Sequence, residues 1–184
     1  MGYVILDFME LYPDTSVIIE GLVSKKLAKG ELKPEKVMLH QAMISILEFM
    51  AEDNRAVGYL GIDEIQRLRE LSDKGGFILE VTGKRPHPAE TKNARLSEVD
   101  GTVRTAAYES DATFYTASRI QAGIARATGG NLLQEEVSAK KKKLLLDKYF
   151  DKETMSVHLR ENVEAHAKKG RPGNWQFATV SKKP

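Results

Sequence analysis

An α/β fold on a mainly parallel sheet is predicted from three observations. Short apolar runs alternate with longer amphipathic stretches, the pattern of successive βα units. Glycines close the amphipathic stretches, at Gly30, Gly75-Gly76 and Gly129-Gly130. With 184 residues, 41% of them hydrophobic, the chain can bury the core of one domain with an appendage.

The first apolar run, Met9 to Tyr12, predicts a strand that ends at Pro13-Asp14 and feeds a helix from Ser16 to Lys29. Lys36 to Leu39 predicts the second strand and Gln41 to Glu52 the second helix. A third helix carries Ile62, Ile65, Leu68 and Leu71 at helical spacing and ends near Lys74. Phe77 to Val81 is the third strand. Gly83 to Pro88 is read as a loop, because two prolines and a glycine so close together suit neither element's interior. Helices over Ser97 to Ser110 and Arg119 to Thr128 flank a strand at Ala112 to Thr116, and Asn131 to Leu133 completes a four- or five-stranded sheet. The expected architecture over 1–136 is a three-layer α/β/α sandwich.

Residues 137–152, with Lys140 to Lys143 followed by Leu144 to Leu146, predict a charged linker helix. From 153 to 184 the chain reads as a small β hairpin, turning at Gly170-Arg171-Pro172-Gly173, with Trp175 and Phe177 expected in its core. A lone hairpin is marginal in water. The appendage is therefore expected either to pack on the main domain or to begin a further one.

Composition narrows the function classes. No stretch approaches the roughly 18 consecutive apolar residues of a membrane span, so no membrane partner is expected. Asp7 and Glu10 make the first residues unlike a signal peptide. Without cysteine there is neither a disulfide nor a thiolate metal site, which fits an intracellular, cytoplasmic setting. A formal charge of +2 means that nucleic-acid binding would have to come from local clusters. His40, His87, His158 and His166 lack metal-ligand spacing, and no G-x-x-x-x-G-K-[ST] loop is present to hold ATP phosphates.

The chemistry-bearing residues are Asp14 and Asp100. Each stands where a strand hands over to a helix or a helix begins, so both can reach the crevice at the carboxyl ends of a parallel sheet. Carboxylates without histidine or cysteine partners suit Mg²⁺ or Mn²⁺, which take oxygen ligands and keep several waters. Phosphodiester hydrolysis is the natural use of such ions. The plainer reading is capping: Asp14 with Ser16 caps the first helix, Ser97 and Asp100 form a capping box, and Ser118 and Gln121 form another.

Four motifs in order carry a resemblance: Pro13-Asp14-Thr15-Ser16, Ala56-Val57-Gly58-Tyr59-Leu60-Gly61, Glu98-Val99-Asp100, and Thr116-Ala117-Ser118-Arg119-Ile120-Gln121. Together they resemble the PIN domain of archaeal PIN-ATPases, in which a hexameric ATPase core and often a KH segment follow. Thr154 to Arg160 and Ala167 to Trp175 are similar to the segment leading into that core. The resemblance implies a PIN-like fold, DNA or RNA as partner, a homo-oligomer that is hexameric in the full-length protein, and ATP-driven remodelling of branched DNA such as Holliday junctions.

The family pattern asks for four acids. Asp14 fits the first and Asp100 the third, and these two are the expected metal ligands. Ser118 stands where the fourth is usually aspartate. The second falls on Ile46, with Glu48 two residues further on. At about 100° per residue, Glu48 lies roughly 140° from the stripe of Met43 and Leu47, pointing it away from the strand tips. Asp111 precedes the strand that Ser118 follows and cannot replace it. The incomplete set implies weak Mg²⁺ or Mn²⁺ binding and argues against catalysis. The preferred reading is a degenerate PIN domain that handles nucleic acid and supports assembly, with Lys84, Arg85, Arg104 and Arg119 as phosphate contacts. The rival is an active nuclease using Asp14, Asp100 and Glu48, and a third reading is a pure oligomerisation domain.

Overall fold

The computed structural model describes residues 9–136 and 145–181, in two compact units that divide at Val137/Ser138. The first unit is α/β as expected. Its five strands are β1 (Met9–Pro13), β2 (Pro34–His40), β3 (Ile78–Thr82), β4 (Thr113–Thr116) and β5 (Leu132–Gln134). They form one sheet in the order β3-β2-β1-β4-β5, and every neighbouring pair runs parallel. The middle strands β1, β2 and β4 carry core residues at consecutive positions, such as Leu11, Tyr12, Phe114 and Tyr115. A strand covered by helices on both faces is apolar throughout rather than alternating.

The helices are α1 (Thr15–Ile19), α2 (Leu22–Ala28), α3 (Gln41–Glu52), α4 (Ala56–Asp73), α5 (Pro88–Asn93), α6 (Leu96–Glu109) and α7 (Arg119–Thr128). Helices α3 and α7 have the predicted bounds. The single helix expected from Ser16 to Lys29 is broken in two at Gly21, which sits in the left-handed region (φ 61°). The cause lies 40 residues away, since Glu64 Oε1 accepts the backbone N–H of Ser24 and starts a fresh helix there. Helix α5 starts at the last residue of the loop read over Gly83 to Pro88 and fills a stretch for which the sequence predicts no element. Pro88 at its first position supplies a fixed φ, and His87 Nδ1 accepts the N–H of Ala89 as the cap. Among the described residues no helix is long and apolar enough to cross a membrane.

Helices α3 and α4 form a hairpin whose contact is glycine-dependent. A Cβ on Gly58 would lie 2.3 Å from the backbone nitrogen of Ala51, and one on Gly61 would lie 2.6 Å from Leu47 Cδ2. The Gly58-x-x-Gly61 spacing thus puts two bare positions on the face that meets α3.

In the second unit the charged helix is not found where it can be described. Residues 137–144, with the Lys140 to Lys143 run, lie outside the described residues, and Leu145–Tyr149 is a short 3₁₀ turn. Three antiparallel strands follow, rather than a hairpin: β6 (Thr154–His158), β7 (Ala165–Arg171) and β8 (Asn174–Ser181), in the order β6-β7-β8. Pro172 and Gly173 (φ 87°) make the turn between the last two. The third strand supplies what a hairpin lacks for independent stability. Trp175 and Phe177 are not core residues: they are 44% and 58% exposed, on the face opposite to the buried Ala165 and Ala167.

Gly58→Ala is expected to lower stability by about 1–3 kcal/mol through overpacking, read from urea unfolding. Gly123→Ala, in the interior of α7 with nothing within 4 Å of its would-be Cβ, should instead be neutral or raise stability by up to about 1 kcal/mol. Equal effects at the two positions would mean that the α3–α4 contact is looser than described.

Candidate functional site

The strand order reverses between β1 and β4, and that switch point is where an open parallel sheet forms its crevice. Asp14 follows β1 directly, and its backbone N–H donates to the carbonyl of Tyr115 on β4 (2.9 Å), which fixes the carboxyl end of one strand against the other. Asp100 arrives from the second turn of α6. Its Oδ1 accepts the backbone N–H of Thr15 (3.0 Å) and the Thr15 hydroxyl (2.6 Å). The structure therefore brings Asp14 and Asp100 together, with only 0% and 6% of their surfaces exposed.

Asp14 is saturated with donors. Its Oδ1 accepts the N–H (3.0 Å) and hydroxyl (2.5 Å) of Ser16 and the N–H of Val17 (3.3 Å), and its Oδ2 accepts the Thr116 hydroxyl. The two donor hydroxyls are themselves held. Ser16 Oγ accepts the N–H of Ala117 (2.9 Å), and Thr116 Oγ1 accepts that of Ser118 (2.9 Å). Asp14 thus caps α1, as the plainer reading had it, while also standing beside Asp100. Asp100 departs from that reading. Helix α6 begins at Leu96, and its first turn is closed by Glu98, whose Oε2 accepts the N–H of Arg95 (2.8 Å). Asp100 is then free to serve the N-terminus of α1 instead of its own helix.

Burial is the larger influence on both carboxyls and favours their neutral forms. The Asp14 pKa is raised by desolvation, against four hydrogen bonds that hold it down. That of Asp100 is pushed up to about 6, first by desolvation and then by the neighbouring Asp14 charge, with Thr15 and Arg104 opposing. Both protein donors to Asp100 go to Oδ1, which leaves Oδ2 for water or a cation. Mg²⁺ wants about six oxygens in near-octahedral array. Among the described residues no group of three His, Cys, Asp or Glu side chains comes together. The residues present do not fit a two-ion centre.

The other sequence-derived residues are spread out. Ile46 is a buried core residue on α3. Glu48 is 42% exposed and paired with Arg85 (2.5 Å), in a cleft lined also by Ser45, Phe49 and Pro86. Ser118 lies at the end of β4, where its Oγ accepts the N–H of Gln121 (3.4 Å) and caps α7. The expected reciprocal bond is absent from that box: the buried Gln121 accepts from Arg104 and donates to the carbonyl of Ser97 (2.9 Å), tying α7 to α6. Lys84 and Arg119 are exposed. Asp111 sits before β4 in a left-handed turn (φ 54°) and accepts from Asn131 (3.2 Å). His40 is buried, and its Nδ1 accepts the N–H of Ala42 (3.1 Å) to cap α3, with desolvation lowering its pKa.

Sequence reasoning missed Glu64, a fully buried carboxylate on α4. It accepts from Ser24 N (2.8 Å), Ser24 Oγ (2.7 Å) and Arg67 Nε (3.0 Å). The signal was available, since Gly61, Glu64 and Leu68 share one buried stripe at helical spacing. Two of these bonds fix α2 through Ser24 and the third holds Arg67 of its own helix, so its role is architectural.

What fold and crevice define is an α/β domain with paired acids at the switch point of its sheet. No family model matches the chain. The chain is 36% identical over 170 residues (92% of its length) to an uncharacterised KH- and PIN-domain-containing protein of Methanocaldococcus jannaschii. It is 28% identical over 95% of its length to the Holliday junction branch migration ATPase PINA of Sulfolobus acidocaldarius. It spans 26% and 32% of those relatives. A solved domain of a functionally unknown protein from M. jannaschii superposes with a TM-score of 0.67 at 30% identity, over 76% of this chain and 99% of that one. The chain belongs to the PIN-domain family, as a PIN domain of the archaeal PIN-ATPase type.

The raised Asp100 pKa has a sign that stability measurements can read. Between the ordinary aspartate value of 3.8 and about 6, the folded chain holds a proton that the unfolded chain has released. Stability should therefore fall across that window as pH rises, by on the order of 2–3 kcal/mol, and then level off. Asp100→Asn keeps the oxygen that accepts from Thr15 and removes the charge. Urea unfolding at about pH 7.5 should find it more stable than the parent chain, with the difference vanishing near pH 4. A less stable variant at both pH values would refute the burial argument.

Proposed function

We propose that the chain is the N-terminal PIN-bearing part of an archaeal PIN-ATPase, and that it handles nucleic acid and supports ring assembly without cutting. The single observation that carries this reading is the acid pair, which no third acid joins among the described residues. Asp14 and Asp100 meet at the switch point, while on the preferred alignment to the family pattern the buried Ile46 stands at the second acidic position, and the capping Ser118 at the fourth. The hydroxyls of Thr15, Ser16 and Thr116 donate to the pair.

Mg²⁺ or Mn²⁺ would find two carboxylates and water here, which suits one weakly held ion and not the two-ion clamp that holds attacking and leaving oxygens. Asp14 and Asp100 would be its ligands. Glu48, engaged by Arg85, is a poor third. The partner is DNA or RNA, and the Holliday junction branch migration for which the Sulfolobus relative is named favours branched DNA. By the family resemblance the whole protein would be a homo-oligomeric, hexameric ring that remodels Holliday junctions, with ATP hydrolysed by a domain other than this one, and the lack of cysteine suits a cytoplasmic setting.

Incubation with single-stranded RNA, single-stranded DNA and a four-way junction in Mn²⁺ tests the reading. Binding without cleavage is expected, with affinity falling steeply as salt rises. Cleavage that Asp14→Asn abolishes would overturn it in favour of an active metal-dependent endonuclease. Self-association by sedimentation with no nucleic acid bound would leave only the oligomerisation domain.

A further inference from the structure

The second unit carries a surface that the PIN fold does not account for. Strand partners share a face in an antiparallel sheet, and the pairs Lys168↔Phe177 and Gly170↔Trp175 put these residues on one side. His158 joins them from β6. Its ring lies 5.5 Å from that of Phe177, which in turn lies 5.3 Å from Trp175, each pair meeting edge to face. Lys168 Nζ sits over the indole of Trp175 at 3.8 Å. The result is a row of three rings across the sheet with a cation at one end, and the two largest rings are about half exposed.

The opposite face is occupied. Ala165 and Ala167 are buried there, and Lys169 pairs with Asp151 (2.5 Å) from the segment that precedes β6. A sheet with one face covered and the other lined by open aromatics needs an occupant for the open face, since large exposed apolar patches mark interaction sites. Charge identifies its chemistry. On the open face the strands carry Lys168, His158 and His166, Lys169 and Arg171 lie on the other side, and no strand residue is acidic. The acids of this unit fall in the connecting segments, at Asp151, Glu153, Glu161 and Glu164 among others. Aromatic rings beside a lysine on a flat sheet free of acids match bases and phosphates.

We infer that the face of the β6-β7-β8 sheet bearing His158, Phe177 and Trp175 binds single-stranded nucleic acid, with bases stacked on the rings and Lys168 meeting the phosphates. A duplex hides its base faces and is bound less well. Gly170 fits the same picture. A Cβ there would come within 2.4 Å of the Asn174 carbonyl oxygen, so the position beside Trp175 stays bare and the approach to the indole stays low. The inference deepens the nucleic-acid reading above and rests on it, while locating the contact away from the acid pair.

Trp175 is the only tryptophan in the chain, so its fluorescence reports on this face alone. Titrating the whole chain with oligodeoxythymidylate of about 12 nucleotides, a length within the usual range for such platforms, should quench it. Phe177→Ala, which keeps the reporter, and Trp175→Ala, followed by fluorescence anisotropy of labelled oligonucleotide, should each weaken binding at least about fivefold. Trp175→Phe should restore most of the affinity, and Lys168→Gln should reduce the salt slope by about one. Binding with no quenching and no effect of Phe177→Ala would overturn the inference while leaving nucleic-acid handling in place. No binding to any single strand or to a four-way junction would overturn both. Quenching that tracks protein concentration without oligonucleotide would assign the face to a protein contact and also overturn it.

Discussion

The first unit depends on a single constraint: two carboxylates buried side by side must each find donors without water. Asp14 and Asp100 lie at the seam between β1, β4 and α6, so satisfying them welds three separate parts of the chain. The N-terminus of α1 does most of this, presenting Thr15, Ser16 and Val17 amides and two hydroxyls to the pair. A helix start suits the task because its amides have no intrahelical partner and its dipole favours negative charge. Even so, desolvation keeps both pKa values above the ordinary range. Keeping such a pair ionised near neutral pH costs stability, because burial favours the neutral forms.

How much of this was legible in the sequence varied with the range of the cause. Helices α3 and α7 could be bounded because their signals are local: Gln41 begins the amphipathic run after β2, and Ser118 and Gly129 cap the two ends of α7. The pairing of Asp14 with Asp100 was also legible, since βα topology sends both to the carboxyl edge of the sheet. The break at Gly21 was not, because it is imposed by Glu64 from a helix far along the chain. The start of α6 shifted for a similar reason of competition, with Arg95–Glu98 closing the first turn before Ser97 could. In the second unit, alternation correctly marked strands, but period two says only that two faces differ. It cannot say which face is covered, and there small alanines took the covered side that Trp175 and Phe177 were expected to fill.

The basic residues bear on what the crevice could do. A nuclease crevice without its cations is a negative hole, and phosphates would approach it only if side-chain cations outweighed the acids. Of the four basic residues read from the sequence, Arg85 is committed to Glu48 and Arg104 to Gln121 beside Asp100. Lys84 and Arg119 are exposed, but two screened surface charges give little hold on a polyanion at physiological salt. Two buried, largely self-satisfied aspartates therefore make a weak docking point for a nucleic-acid backbone. On the proposed reading, affinity has to be supplied elsewhere, and the acid-free aromatic face of the second unit has the chemistry to supply it. That division of labour would leave the PIN fold to position and assemble, and would explain on physical grounds why Ile46 and Ser118 can stand where acids are expected: a crevice that no longer binds two ions is more stable with apolar and capping residues than with unpaired carboxylates.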